Sequence, residues 1–169
     1  MKKNYDPSDL KEIKNPYVGL KHQKIHKGVI GVAGEYYVAA ELSRRGYIVT
    51  LTQRNSKAVD ILVANADESR FAKIQVKTTL SKQNKWMLNE KAETLSDKTL
   101  FYVFVGLDAD VPPRFYVVPS PVVARTVKKD YQEWMGTPGR NGKPHGISTI
   151  RIFIPAGERY LSNWEILGL

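Results

Sequence analysis

A chain of 169 residues with 42% apolar composition can fill one core and is short for two, so one main domain is expected. Its 26 Lys and Arg against 17 Asp and Glu give a net charge of +9, which points to a polyanionic partner, nucleic acid first. The lack of cysteine excludes a disulfide framework or a thiolate metal site, and no apolar run forms a signal core or approaches the roughly 18 residues of a membrane span, so a soluble, cytoplasmic protein is expected.

Residues 1–27 read as a basic arm preceding a domain over 28–169. Seven lysines in residues 1–28 stand against Asp6, Asp9 and Glu12, with Pro7 and Pro16 breaking any regular structure. Lys21, Lys24 and Lys27 are candidate phosphate contacts, although the same composition also serves a solvated tail.

Lys27 to Arg45 predicts a helix ended by Gly46. At about 100° per residue, Gly31, Gly34, Glu35, Val38 and Leu42 share one side. Two glycines on that side imply a close approach to another backbone, and Glu35 among them is solvated at a rim, paired with a cation or bound to a metal. Residues 47–52 are a strand by composition, and 53–57 a polar connection. Val59 to Val63 is a short β-branched strand entered through Asp60. After the polar turn 65–70 comes Phe71 to Thr79, alternating Ala72, Ile74 and Val76 on one face with Lys73, Gln75 and Lys77 on the other. Antiparallel pairing would bring Asp60 near Gln75 and Lys77 at one end of a sheet, a set suited to holding a divalent cation and a water beside a phosphate; the same pattern also fits a solvated edge.

Trp86-Met87-Leu88 predicts another short strand, and residues 89–98 a charged, weakly helical or loop segment. Leu100 to Leu107, almost wholly apolar, predicts a strand covered on both faces. Asp108 to Pro113 should turn into a returning strand, Arg114 to Val118, followed by a helix through Trp134 with Ser120 as N-cap and Pro121 at its first position. Residues 136–146 read as a mobile basic loop in which Arg140, Lys143 and His145 could grip DNA. A late strand (147–154) and an amphipathic closing segment (160–167) complete an α/β chain with a central mixed β-sheet flanked by helices.

Gly34-Glu35 on a helix, Asp60 opening a strand and Gln75-Val76-Lys77 on the next resemble, in order and placement, the PD-(D/E)xK nuclease superfamily over residues 28–79. The resemblance implies a restriction-endonuclease-like core and a site in which Asp60, Gln75, the Val76 carbonyl and Glu35 hold Mg²⁺, with Mn²⁺ able to substitute, while Lys77 assists the attacking water. Glutamine replaces the second motif acid, as in Mrr-type restriction enzymes and a cyanobacterial homing-nuclease group with a similar Gln75-Val76-Lys77-Thr78 run. Ser56, Thr78 and Thr79 are hydroxyls that could contact a phosphate or be ordinary turn and strand residues. The expected activity is metal-dependent cleavage of DNA, most readily double-stranded, within a DNA-processing or restriction system. A silent nuclease-fold protein that binds nucleic acid or a protein partner is the alternative, and an RNA-directed nuclease shares the same features. The oligomeric state is left open, with a homodimer among the options.

Overall fold

Helix α1 (Lys27–Arg44) begins where the His26 side chain accepts a hydrogen bond from the Gly28 N–H at 3.2 Å and ends at Gly46, whose φ of +86° suits a residue without Cβ. The computed structural model describes residues 26–52, 59–80, 83–108, 111–139 and 142–169. Val38 and Leu42 are fully buried on one side of α1, each contributing about 1.5–3 kcal/mol by burial. The strands are β1 (Ile48–Leu51), β2 (Ile61–Ala64), β3 (Phe71–Thr79), β4 (Trp86–Asn89), β5 (Leu100–Asp108), β6 (Val111–Pro119) and β7 (Ile150–Phe153); α2 spans Ser120–Met135.

The main sheet has five strands in the order β1-β2-β3-β5-β6, with β3 and β5 parallel and every other pair antiparallel, so it is mixed as expected. The β2–β3 hairpin closes through side chains suited to a turn: Asn65 Oδ1 accepts from the Arg70 N–H at 2.8 Å, Asp67 Oδ1 from the Ser69 N–H at 3.1 Å, and Glu68 takes a φ of +57°. Strand β5 is buried on both faces. Phe101, Val103 and Val105 pack with α1, β2, β3 and the closing segment containing Trp164 and Leu167. Tyr102 and Phe104 pack with Trp86, Leu88, Phe153 and the α2 residues Val123 and Val127. No described helix is long and apolar enough to cross a membrane.

The strand expected at Trp86 forms as β4 and pairs with β7 in a separate two-stranded sheet lying over β5 and β6. Two expectations change. Val111 to Pro113 extend β6 rather than forming the turn, because β5 runs on to Asp108 and pairs there with Val111. Ser120 is the first residue of α2, not its cap: its buried hydroxyl accepts from the Asp97 N–H at 2.9 Å and donates to the Asp97 carbonyl at 2.8 Å, tying α2 to the loop before β5.

Asp97 also meets Lys73 at 2.5 Å and accepts from the Thr99 N–H, and these contacts, the lysine first, pull its carboxyl down to about 2. Since the folded value lies below the unfolded one, the stabilisation is complete above about pH 4 and disappears as pH falls toward 2. Both side chains are more than a third exposed, so solvent screening holds the effect to about 1 kcal/mol or less. Urea unfolding of Asp97→Asn should show that deficit at pH 6 and none at pH 2; a deficit constant with pH would mean that the charge is irrelevant.

Candidate active site

Asp60 is half-buried at the mouth of β2, and its main chain is held on both sides: its N–H donates to the Ile74 carbonyl at 2.8 Å, and its carbonyl accepts from the Thr52 N–H at 2.9 Å. One step beyond the Ile61–Ile74 pair, it stands beside Gln75. Its Oδ2 accepts a hydrogen bond from the Val76 N–H at 2.7 Å, so the carboxylate is anchored at the residue between Gln75 and Lys77. Alternation then puts Gln75 and Lys77 on one face of β3, about 7 Å apart, while Ile74 and Val76 enter the core beneath α1. Asp60 thus stands opposite Gln75 across the β2–β3 pair, and Lys77 follows Gln75 on the same face of β3.

This face of β3 remains accessible because the second layer stops short of it. β4, β7 and α2 cover β5 and β6, leaving a cleft of about 380 Å³ lined by Gln75, Lys77, Leu88, Asn89, Lys91, Ala92, Leu95 and Tyr102. Lys77 also borders an adjoining hollow with Thr79, Lys85 and Trp86. Burial pushes the Tyr102 phenol up to about 12, so it is a neutral wall of the cleft and no proton acceptor near neutrality. Lys85, Asn89 and Lys91 were not singled out in the sequence. A polar stretch around a four-residue strand carries no signal of what it will face, and the separate β4–β7 pairing decides that.

Glu35 lies half-buried on α1, next to Gly34, where the helix meets β3. An ideal Cβ on Gly34 would stand 1.9 Å from Thr78 Oγ1, so the close approach there is to the Thr78 side chain rather than to a backbone, whereas a Cβ on Gly31 would meet nothing within 4 Å. The Thr78 hydroxyl is buried with no hydrogen-bond partner among the described residues, so it faces the helix contact rather than an open phosphate site. Lys27 and Lys143 are exposed. Lys21, Lys24, Ser56 and Arg140, with most of the basic arm, lie outside the described residues. The 136–146 loop is irregular as expected but tied back on itself: the Gly139 N–H donates to the Lys143 carbonyl at 2.8 Å, and the His145 ring stacks on Trp134 with centroids 3.9 Å apart.

Among the described residues no three His, Cys, Asp or Glu side chains gather into a metal cage. A cation beside Gln75 would draw on oxygen donors of mixed type, the Asp60 carboxylate, the Gln75 amide and a main-chain carbonyl, while Glu35 stands on α1, the helix that packs on the Ile74 and Val76 face of β3. Such a donor set fits a hard divalent ion rather than a thiophilic one.

The same fold occurs in a solved structure of a bacterial homing endonuclease, I-Ssp6803I, which aligns with a TM-score of 0.51 at 14% sequence identity, covering 84% of this chain and 91% of that one. The fold is therefore α/β, with the architecture of that endonuclease. No protein-family model and no curated protein sequence matches the chain.

Proposed function

We propose that the protein is a metal-dependent DNA endonuclease of the PD-(D/E)xK type, with Glu35, Asp60, Gln75 and Lys77 as its catalytic set. The observation that carries this is the hydrogen bond from the Val76 N–H to Asp60, which ties the carboxylate to the residue between Gln75 and Lys77, both of which line the cleft. Asp60, the Gln75 amide oxygen, the Val76 carbonyl and Glu35 would hold Mg²⁺ or Mn²⁺. A bound cation would supply polarisation of the phosphodiester and acidification of a water. Lys77 holds a water or a non-bridging oxygen by donation and offsets the negative charge that builds in the transition state. Lys85 and Lys91, flanking Lys77, attract neighbouring phosphates of the substrate, in keeping with the net charge of +9. The likeness in fold to a homing endonuclease supports duplex DNA over RNA as the substrate.

Supercoiled plasmid incubated with the protein should be nicked or linearised in Mg²⁺ or Mn²⁺ and left intact in EDTA. Lys77→Ala should lower that rate by about 10³-fold. It should leave Mg²⁺ affinity by calorimetry nearly unchanged, because an ammonium is not a ligand. Cleavage persisting in EDTA would refute the metal site. One rival is a nuclease-fold protein that binds DNA without cutting it, a reading favoured in that no three acidic or histidine side chains cluster among the described residues. Such a protein would show no product in either metal and no calorimetric Mg²⁺ binding.

A further inference from the structure

We propose that the Tyr102 hydroxyl is a DNA-binding donor that takes an oxygen of a strand phosphate entering the cleft beside Gln75 and Lys77; the inference rests on the reading of that cleft as a DNA site. Tyr102 is 2% exposed and lines the cleft, yet its hydroxyl has no hydrogen-bond partner among the described residues. Nor is the oxygen sealed in: the fully enclosed, unpartnered polar atoms of the described side chains belong to Thr78, Asn84, Arg114 and Trp164. A phenol buried to its tip without an internal bond costs stability rather than adding to it. The ring is nonetheless fixed, stacked on Phe104 with centroids 5.6 Å apart and planes 9° from parallel, so the hydroxyl is in place before any ligand arrives.

The neighbours of the hydroxyl specify its ligand. Lys77 and Lys91 line the same cleft and no Asp or Glu does, so an anion is drawn in and a cation is not. Asn89 adds an amide donor, since its Oδ1 is already taken by the Lys91 N–H at 3.1 Å. With its pKa pushed up to about 12 by burial, the phenol stays protonated and can donate to a phosphate oxygen without repelling it. Tyr102 is the register partner of Gln75 on β5, and Asp60 stands opposite Gln75 on the other side, one step beyond the Ile61–Ile74 pair. The three form one row across β2, β3 and β5, and β5 lies two strand spacings, roughly 10 Å, from β2. Tyr102 therefore serves a phosphate further along the strand than the one beside Asp60, and its contribution is to binding rather than to the cation.

Fluorescence anisotropy of a short fluorescein-labelled DNA duplex, titrated with the full chain in EDTA at several salt concentrations, tests the donor with no cleavage in play. Tyr102→Phe keeps the ring and its stacking and should weaken binding about 10-fold. Its salt dependence should match native, because a neutral donor displaces no counterion, whereas Lys91→Ala should lower the slope of log affinity against log salt by about one. The urea midpoint of Tyr102→Phe should equal or exceed that of the native chain, since an unpaired hydroxyl leaves the interior. Native affinity in Tyr102→Phe overturns the inference and leaves the cleavage reading intact. So does a lower urea midpoint, which would give the hydroxyl an internal partner, or a lower salt slope, which would trace the loss to a displaced lysine. A native chain with no affinity for the duplex overturns this inference and the nuclease reading together.

Discussion

Asp60→Asn should cut DNA about 10³-fold more slowly than the native protein while folding normally and binding duplex DNA at least as well. The asparagine keeps an oxygen able to accept from the Val76 N–H, so the link that replaces the strand ladder at the mouth of β2 survives. What it loses is the negative charge, the main attraction of the proposed site for a hard cation now that Gln75 supplies only a neutral oxygen. Repulsion between the carboxylate and the incoming phosphate also disappears, hence undiminished DNA affinity. Calorimetry should show Mg²⁺ binding lost in Asp60→Asn and strengthened in Gln75→Glu, where a second charged ligand joins Asp60. Native-like cleavage by Asp60→Asn would remove Asp60 from the site whatever the fold.

Gly34→Ala and Gly31→Ala, the same change one helical turn apart, should move stability in opposite directions. Alanine is favoured over glycine in a helix interior by about 1 kcal/mol, and at Gly31 open space lets that gain appear almost in full. At Gly34 the new Cβ would meet Thr78 at 1.9 Å from Oγ1 and 3.0 Å from Cβ and Cγ2. Rotating the threonine relieves the hydroxyl but not its Cβ, so α1 must move off β3, at a cost of about 1–3 kcal/mol that outweighs the propensity gain. Thr78→Ala removes both Oγ1 and Cγ2. In the double variant the penalty at Gly34 should shrink, a coupling readable in a double-mutant cycle by denaturant unfolding. The displacement should also carry Glu35 away from the site, so Gly34→Ala should cut DNA more slowly than Gly31→Ala. Additive behaviour of Gly34→Ala and Thr78→Ala would show that the helix contact lies elsewhere.

The core of the candidate site was readable from residues 27–79 because its geometry is local. A six-residue polar turn joins β2 to β3, alternation sets which side chains share a face, and antiparallel pairing then leaves Asp60 beside Gln75 and Lys77. The apolar run at β5 likewise announced a strand covered on both faces, since no other environment accepts it. Gly31 and Gly34 look alike on the helical wheel and are not: only the position of Thr78 on β3 beneath α1 leaves no room for a side chain at Gly34. Ser120 has the composition of a cap and serves instead as a tie to Asp97, a partner 23 residues away. Four residues at Trp86 could pair with any free edge, and their choice of β7, more than sixty residues further on, lay in no local pattern. That one long-range pairing lifts β4 out of the main sheet and forms the cleft lined by Asn89 and Lys91. It also turns Met87, Ile150 and Ile152 outward. Periodicity records which face a residue takes within its own element; what covers that face depends on packing between distant segments, and this tertiary structure alone decided.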